Sequence, residues 1–210
     1  MHDSLAIAVP KGRVLEQLVP RLERAGLDST PLTKRSRKLI REDRERGLRY
    51  FLLKPDDVPT YVEFGTADLG IVGRDVLDER SYDLYAPLDL EIGRCRMVVA
   101  GPPGASLGRG LSRPLRIGTK FPQIAQRHFR EQGVPVEIIF LQGSVELAPI
   151  TGLSDVIVDI VETGETLKQN GLAELETIST VSSMVVVNRA SLKIKRDRIV
   201  PLLRALRAEG

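Results

Sequence analysis

The segment richest in possible chemistry is Asp155-Val-Ile-Val-Asp159-Ile-Val-Glu162-Thr163-Gly164-Glu165-Thr166-Leu167. An apolar, β-branched strand carries an acid near its end and passes through Thr-Gly-x-Thr into a helix. The backbone N–H groups of residues 163–166 can converge there on a phosphate, because the first N–H groups of a helix lack carbonyl partners and the helix dipole favours an anion. Gly164 would let the backbone approach closely, and the hydroxyls of Thr163 and Thr166 add donors. A phosphate monoester fits such a cradle. Asp159 and Glu162 beside it could accept hydrogen bonds from sugar hydroxyls or hold Mg2+ through water, while Glu165 must turn its carboxylate away from the anion. The same spacing also describes a threonine-capped helix whose acids complement the dipole, so taken alone it leaves both readings open.

Other candidates lie upstream. Lys11-Gly12-Arg13 follows the apolar segment 5–9, at the carboxyl end of a strand, where α/β proteins hold ligands. Two cations there suit a polyphosphate, although a solvated basic turn reads the same way. Arg37, in Ser36-Arg37-Lys38-Leu39, could pair its guanidinium fork with phosphate oxygens, but its neighbourhood is charged enough for plain solvation. Asp68-Leu-Gly70-Ile-Val-Gly73 is an apolar strand edged by glycines; it could admit a nucleoside with Asp68 as acceptor, or mark a structural turn. Gly143-Ser144-Val145-Glu146 reads as a helix start with an early acid, Glu146, which could face a ribose or a metal-bound water. Cys95, between Arg94 and Arg96, has no histidine nearby in sequence and reads as a structural strand-edge residue. His128, close to Arg127 and Arg130, reads as a surface residue, and no catalytic triad is evident.

The elements that must hold these residues alternate. Strands are expected at 5–9, 69–72, 96–100, 115–118, 136–141, 155–161 and 184–188, with helices at 14–25, 57–64, 74–79, 122–132, 145–150, 165–169 and 196–208. Val14, Leu15, Leu18, Val19 and Leu22 form the apolar stripe of the first helix, closed by Gly26, and Asp56 and Asp57 are expected to cap the second. The charged block 35–49 leads into a strand as a hairpin or exposed loop, and 101–114, rich in glycine, proline and serine, is the least regular stretch. This rhythm predicts an α/β protein of two lobes around a cleft, with mixed, mostly parallel sheets of the type II periplasmic-binding-protein kind. The expected division is 1–90 plus 185–210 for the first lobe and 91–184 for the second.

Bulk composition narrows the function classes. Across 210 residues, 31 basic and 28 acidic side chains leave a net charge of only +3, so a nucleic-acid partner is not indicated. One cysteine excludes an intrachain disulfide, and two histidines, His2 and His128, form no metal-binding spacing, which suits a reducing cytoplasm. The first ten residues place an acid before a very short apolar run, unlike an export signal, and no apolar run is long enough for a membrane helix.

Residues 159–172, Asp-Ile-Val-Glu-Thr-Gly-Glu-Thr-Leu-Lys-Gln-Asn-Gly-Leu, closely resemble the phosphoribosyl-diphosphate loop of the ATP phosphoribosyltransferases. Further matches run in the family's order: Pro-Lys-Gly-Arg at 10–13, Ser-Arg-Lys-Leu at 36–39, Ala-Asp-Leu-Gly-Ile-Val-Gly at 67–73 and Gly-Ser-Val-Glu-Leu-Ala-Pro at 143–149. The resemblance implies transfer of the phosphoribosyl group of 5-phosphoribosyl diphosphate to N1 of ATP with Mg2+, the first step of histidine biosynthesis. It implies catalytic roles for Arg13 and Arg37, and binding of 5-phosphoribosyl diphosphate by Glu146, Asp159, Glu162, Thr163, Gly164, Glu165 and Thr166. ATP would face Lys11, Gly12, Asp68 and Gly70, and no residue is assigned as a direct metal ligand. A chain ending soon after the strand 184–188 resembles the short catalytic form, which works with a regulatory subunit related to histidyl-tRNA synthetase in a hetero-octamer. Two α/β lobes also describe solute receptors; the 159–166 loop and the absence of an export signal favour the enzyme.

Overall fold

The computed structural model describes residues 4–108 and 112–207. In chain order the elements are β1 (Leu5–Pro10), α1 (Arg13–Arg24), α2 (Thr30–Thr33), β2 (Ile40–Asp43), β3 (Leu48–Leu53), α3 (Val58–Glu63), β4 (Leu69–Gly73), α4 (Arg74–Glu79), β5 (Tyr85–Asp89) and β6 (Cys95–Gly101). They continue as β7 (Leu115–Thr119), α5 (Pro122–Glu131), β8 (Val136–Phe140), α6 (Leu147–Ile150), β9 (Val156–Val161), α7 (Glu165–Gln169), β10 (Ala173–Val181), β11 (Ser183–Val187), α8 (Arg189–Ile194) and α9 (Arg196–Arg207). The chain forms two compact units. Residues 4–77, Ser81–Gly93 and 182–207 make one; Asp78–Arg80 and Arg94–Val181 make the other. The end of the expected last helix, Ala208, and His2 lie outside the described residues.

In the first unit, six strands run in the order β2-β3-β1-β4-β11-β5. Alternation along β1 explains its position: Leu5, Ile7 and Val9 enter one apolar cluster with Leu18 and Leu22 of α1 and Ile199, Leu202 and Leu206 of α9. Ala6 and Ala8 enter another with Val58 and Val62 of α3 and Val76 of α4. A strand with helices on both faces must be apolar on both, and all six residues of β1 are buried. The second unit repeats the plan with β10-β6-β9-β7-β8. Met97 and Val99 face Phe129 of α5, while Val98 and Ala100 face Ala148 of α6 and Leu167 of α7.

Both sheets are mixed. Parallel pairing is confined to β3-β1-β4 in the first and β8-β7-β9 in the second, and antiparallel strands flank these centres. The expectation of mostly parallel sheets therefore holds only at the centres. Two flanking strands, β5 and β10, escape a periodicity reading: β5 is a short, mostly exposed YAPLD, and β10 reads AELETISTV with register shifts after Glu174 and Thr177 that break its alternation. Asp57, expected as a side-chain cap, makes no capping hydrogen bond; α3 is entered instead through a 3-10 turn over Pro55–Asp57.

One carboxylate fixes the entrance to the second sheet. Asp155, just before β9, accepts two hydrogen bonds from Arg113 at 2.6 and 2.7 Å, one from the Arg116 guanidinium at 3.0 Å and one from the Arg116 backbone N–H at 2.9 Å. The Arg113 hydrogen bond is the largest of the causes that hold its carboxyl well below the usual range, with Arg116 adding to it.

Candidate functional site

The carboxyl ends of the parallel strands carry most of the candidate residues. In the second unit, β7, β8 and β9 are parallel neighbours, so the segments that follow them, at 120–121, 141–146 and 162–164, leave from one end of the sheet. Thr119 ties this end together: its buried hydroxyl donates to the Val158 carbonyl at 2.6 Å and accepts the Phe121 N–H at 2.8 Å. Asp159 is the next residue on β9, beyond the last pairing with β7, and its carboxylate accepts the Ile160 N–H at 2.8 Å.

The turn after β9 has the geometry that the Thr-Gly-x-Thr spacing suggests. Gly164 occupies the left-handed region, with φ 80 and ψ 2, immediately before α7. An added Cβ would come no closer than 3.6 Å to its surroundings, so backbone conformation, not crowding, demands glycine here. The Thr163 hydroxyl oxygen accepts the Glu165 N–H at 3.3 Å, which leaves its proton able to donate outward. The N–H groups of Thr166 and Leu167 belong to the first helical turn and lack intrahelical carbonyls by construction. Glu165 turns down the helix, where its carboxylate accepts from the Gln169 side chain at 3.1 Å. Leu167 and Leu172 anchor the short helix in the same apolar cluster as Val145, which places the Glu146 turn on the same face of the sheet. That turn is sharp, with Ser144 at φ 49, and Glu146 directly precedes α6.

A brace behind this loop was not legible in the sequence. Arg96 on β6 binds Glu174 on β10 at 2.5 Å and reaches the Glu162 carbonyl at 3.5 Å. Hydrogen bonding to Glu174, and its charge, raise the Arg96 pKa. Glu174 could not be paired with Arg96 in advance, since β10 itself was not foreseen. Lys120, at the same sheet end and with its ammonium 5.9 Å from the Phe121 ring centre, is a second omission.

In the first unit, β1, β3 and β4 are parallel, and their carboxyl ends carry Lys11-Gly12-Arg13, Lys54 and Arg74. Lys11, Gly12 and Arg13 are exposed, and Gly12 has φ 88 with open space around it. The Gly12 carbonyl accepts the Leu15 and Glu16 N–H groups and so starts α1. The segment carrying Arg37 reaches the same sheet end, because β2 is antiparallel to β3 and the Leu39 carbonyl accepts the Leu52 N–H at 2.8 Å. The Arg41 guanidinium holds this segment through backbone carbonyls at Pro31, Lys34, Ser36 and Lys38. Lys54 and Arg74 were missed because nothing local marks a lysine or arginine as sharing a sheet end with Arg13.

Asp68 and Gly70, expected to face ATP, are both enclosed by their surroundings. Asp68 precedes β4, at the amino end of the parallel strands, and is only 4% exposed. Its Oδ2 accepts the Ala6 N–H at 2.8 Å and Lys195 Nζ at 2.7 Å, and its Oδ1 accepts the Ser191 hydroxyl at 2.7 Å. Gly70 lies beneath α3, where a Cβ would fall 2.7 Å from Val58 Cγ1 and 2.8 Å from Val62 Cγ2. His128, read as a surface residue, is partly covered: its side chain is 14% exposed, stacks edge-on against Phe129 and lies 3.3 Å from Glu176.

Residues 54–208 match the family model described as HisG, ATP phosphoribosyltransferase. The chain belongs to the ATP phosphoribosyltransferase family. An ATP phosphoribosyltransferase of Sorangium cellulosum is 57% identical over 208 residues, which cover 99% of this chain and 97% of that protein. The solved ATP phosphoribosyl transferase (HisG:HisZ) complex from Thermotoga maritima contains a chain 42% identical, with a TM-score of 0.82 and 97% of each chain covered. The VFT2 domain of Bordetella pertussis BvgS shares the fold at 13% identity, with a TM-score of 0.60, covering all of this chain and 89% of the domain. Membership in the ATP phosphoribosyltransferase family fits an α/β protein whose candidate groups are cations and a glycine turn at a helix start.

Proposed function

We propose that the chain transfers the phosphoribosyl group of 5-phosphoribosyl diphosphate to N1 of ATP, yielding phosphoribosyl-ATP and diphosphate in the first step of histidine biosynthesis. Family membership across nearly the whole chain carries this assignment. The turn at 163–166 is the anion site that the 5-phosphate needs, with Thr163 and Thr166 as hydroxyl donors and first-turn N–H groups completing the cradle. Asp159, Glu162 and Glu146 are the acceptors for ribose hydroxyls. Lys11, Gly12 and Arg13 serve the charged phosphates, and Arg37 stabilises the departing diphosphate.

Adenine N1 carries its own lone pair, so displacement at the anomeric carbon needs alignment of the two substrates and charge stabilisation at the leaving group. The guanidinium forks of Arg13 and Arg37 suit diphosphate oxygens. Among the described residues no group of three His, Cys, Asp or Glu side chains is placed to hold a metal, so a three-ligand protein cage does not fit. Mg2+ bound chiefly by the diphosphate, with Asp159 or Glu162 reached through water, does fit, because Mg2+ retains waters and favours phosphate oxygens. When bound, it would neutralise charge on the leaving group.

The solved Thermotoga maritima relative is a HisG:HisZ complex, and this chain is proposed to assemble with a HisZ-type regulatory subunit, as a hetero-octamer in the cytoplasm. No helix among the described residues is long and apolar enough to cross a membrane. The test is phosphoribosyl-ATP formation from ATP and 5-phosphoribosyl diphosphate with Mg2+, with and without the regulatory subunit; no product under both conditions refutes the assignment. Arg37→Ala should lower turnover by about 10²–10³-fold, the range for removing one donor to a developing charge, and unchanged turnover would remove Arg37 from the mechanism.

A further inference from the structure

Segment 33–40 is exposed at every position, so side-chain burial cannot hold Arg37 in one place. One side chain gathers much of its backbone. Arg41 donates from Nε to the Lys38 carbonyl at 3.0 Å, from Nη1 to the Pro31 and Lys34 carbonyls at 2.9 and 2.6 Å, and from Nη2 to the Ser36 carbonyl at 2.9 Å. Four hydrogen bonds thus engage four of the five N–H groups of the guanidinium. The acceptors lie on both sides of Arg37, and two of them, Ser36 and Lys38, are its immediate neighbours. The Ser36 hydroxyl also accepts the Lys38 N–H at 3.1 Å, which closes a turn around position 37. With the flanking carbonyls directed at Arg41, the backbone at Arg37 has little rotational freedom.

We propose that Arg41 is a positioning residue for phosphoribosyl transfer, fixing through its four carbonyl contacts the backbone that presents Arg37 to the leaving diphosphate. This rests on the reading of Arg37 given above. The chemistry is specific to arginine. A planar fork can donate in several directions within one plane, whereas a lysine ammonium is a point charge with three donors and cannot span carbonyls spread from residue 31 to residue 38.

The test is a double-mutant cycle on the full chain assayed with its regulatory partner: wild type, Arg37→Ala, Arg41→Ala and the double variant, with Arg41→Lys as a second single variant that keeps the aliphatic stem. Arg41→Ala is expected to lower kcat by about 10–100-fold, the scale of a positioning error of roughly 1 Å, with the KM for ATP within about twofold. Arg41→Lys should recover little of this loss, and the melting temperature of both variants should stay near that of wild type. In the Arg37→Ala background, Arg41→Ala should change kcat by less than about twofold, since the group it positions is gone. A full multiplicative loss in that background overturns the inference, as does wild-type kcat in Arg41→Ala while Arg37→Ala is impaired. Wild-type kcat in Arg37→Ala overturns the Arg37 reading itself, and is seen separately in the first arm of the cycle.

Discussion

Replacing Asp68 with alanine separates a structural carboxylate from a ligand-binding one. Three donors converge on this 4%-exposed group: the Ala6 N–H, the Ser191 hydroxyl and the Lys195 ammonium. Truncation strands a buried strand N–H, which costs about 1–3 kcal/mol. It also removes the counter-charge of Lys195, and breaking a buried pair from one side costs about 3–5 kcal/mol. The Lys195 side chain is 25% exposed and keeps the Ser4 carbonyl at 2.9 Å, so part of its charge can be recovered by water, and the lower part of the range applies. The expected loss is about 3–4 kcal/mol, or roughly 6–16 °C in melting temperature for a chain of this length. Asp68→Asn keeps an acceptor for Ala6 and should lose about half as much. Urea titration gives the free energies, and a cycle with Lys195→Met should show a coupling of about 1–2 kcal/mol. A melting shift below about 3 °C combined with a tenfold rise in the KM for ATP would refute the reasoning and return Asp68 to the nucleotide site.

Gly70→Ala should cost about 1–3 kcal/mol through overpacking against Val58 and Val62 while leaving the KM for ATP unchanged, measured by urea titration and steady-state kinetics. Tyr50 is fully buried, and its hydroxyl finds no partner among the described residues; desolvation, followed by the charges of Asp43 and Asp28, pushes its pKa up to about 12. The fold therefore holds the neutral phenol. Stability is intact below the unfolded value near 10 and falls as pH rises toward 12, by up to about 1.4 kcal/mol per unit, a loss that Tyr50→Phe should abolish in alkaline denaturation curves. The depressed Asp155 pKa works in the opposite direction: its stabilisation is present above the ordinary carboxylate range and is lost as pH falls below it, so Asp155→Asn should flatten the acid limb of the stability profile followed by circular dichroism.

How much could be read in advance depended on how local each feature was. The helices α4 and α7 occupy the expected residues, because a preceding apolar strand, a turn glycine and the helix all fall within a few positions of one another. The phosphate-shaped turn was legible for the same reason: Thr163, Gly164 and Glu165 make it with their own backbone and the Thr163 hydroxyl. Strands β5 and β10 were not: β5 is short, exposed and holds Pro87, and the bulges in β10 space its core-facing Leu175, Ile178 and Val181 three apart instead of two. Arg41 could be seen only as one more charge in a charged block. Its four carbonyl partners become visible once the chain folds back on it.

The sequence by itself determined the family, the alternation of strand and helix, the phosphate-shaped turn after β9 and the basic residues after β1, because each is carried by neighbouring residues or by their order along the chain. Tertiary structure decided which charged groups are enclosed by the fold and which are left exposed at the strand ends. Asp68 is enclosed by residues 62, 123 and 127 positions away, and Arg96 is held behind the 162–164 turn by Glu174, 78 positions on, and by the Glu162 carbonyl. A carboxylate or guanidinium has the same chemistry in every context. Its role follows from the partners that reach it and the water that does not, and both are set by strand order and register.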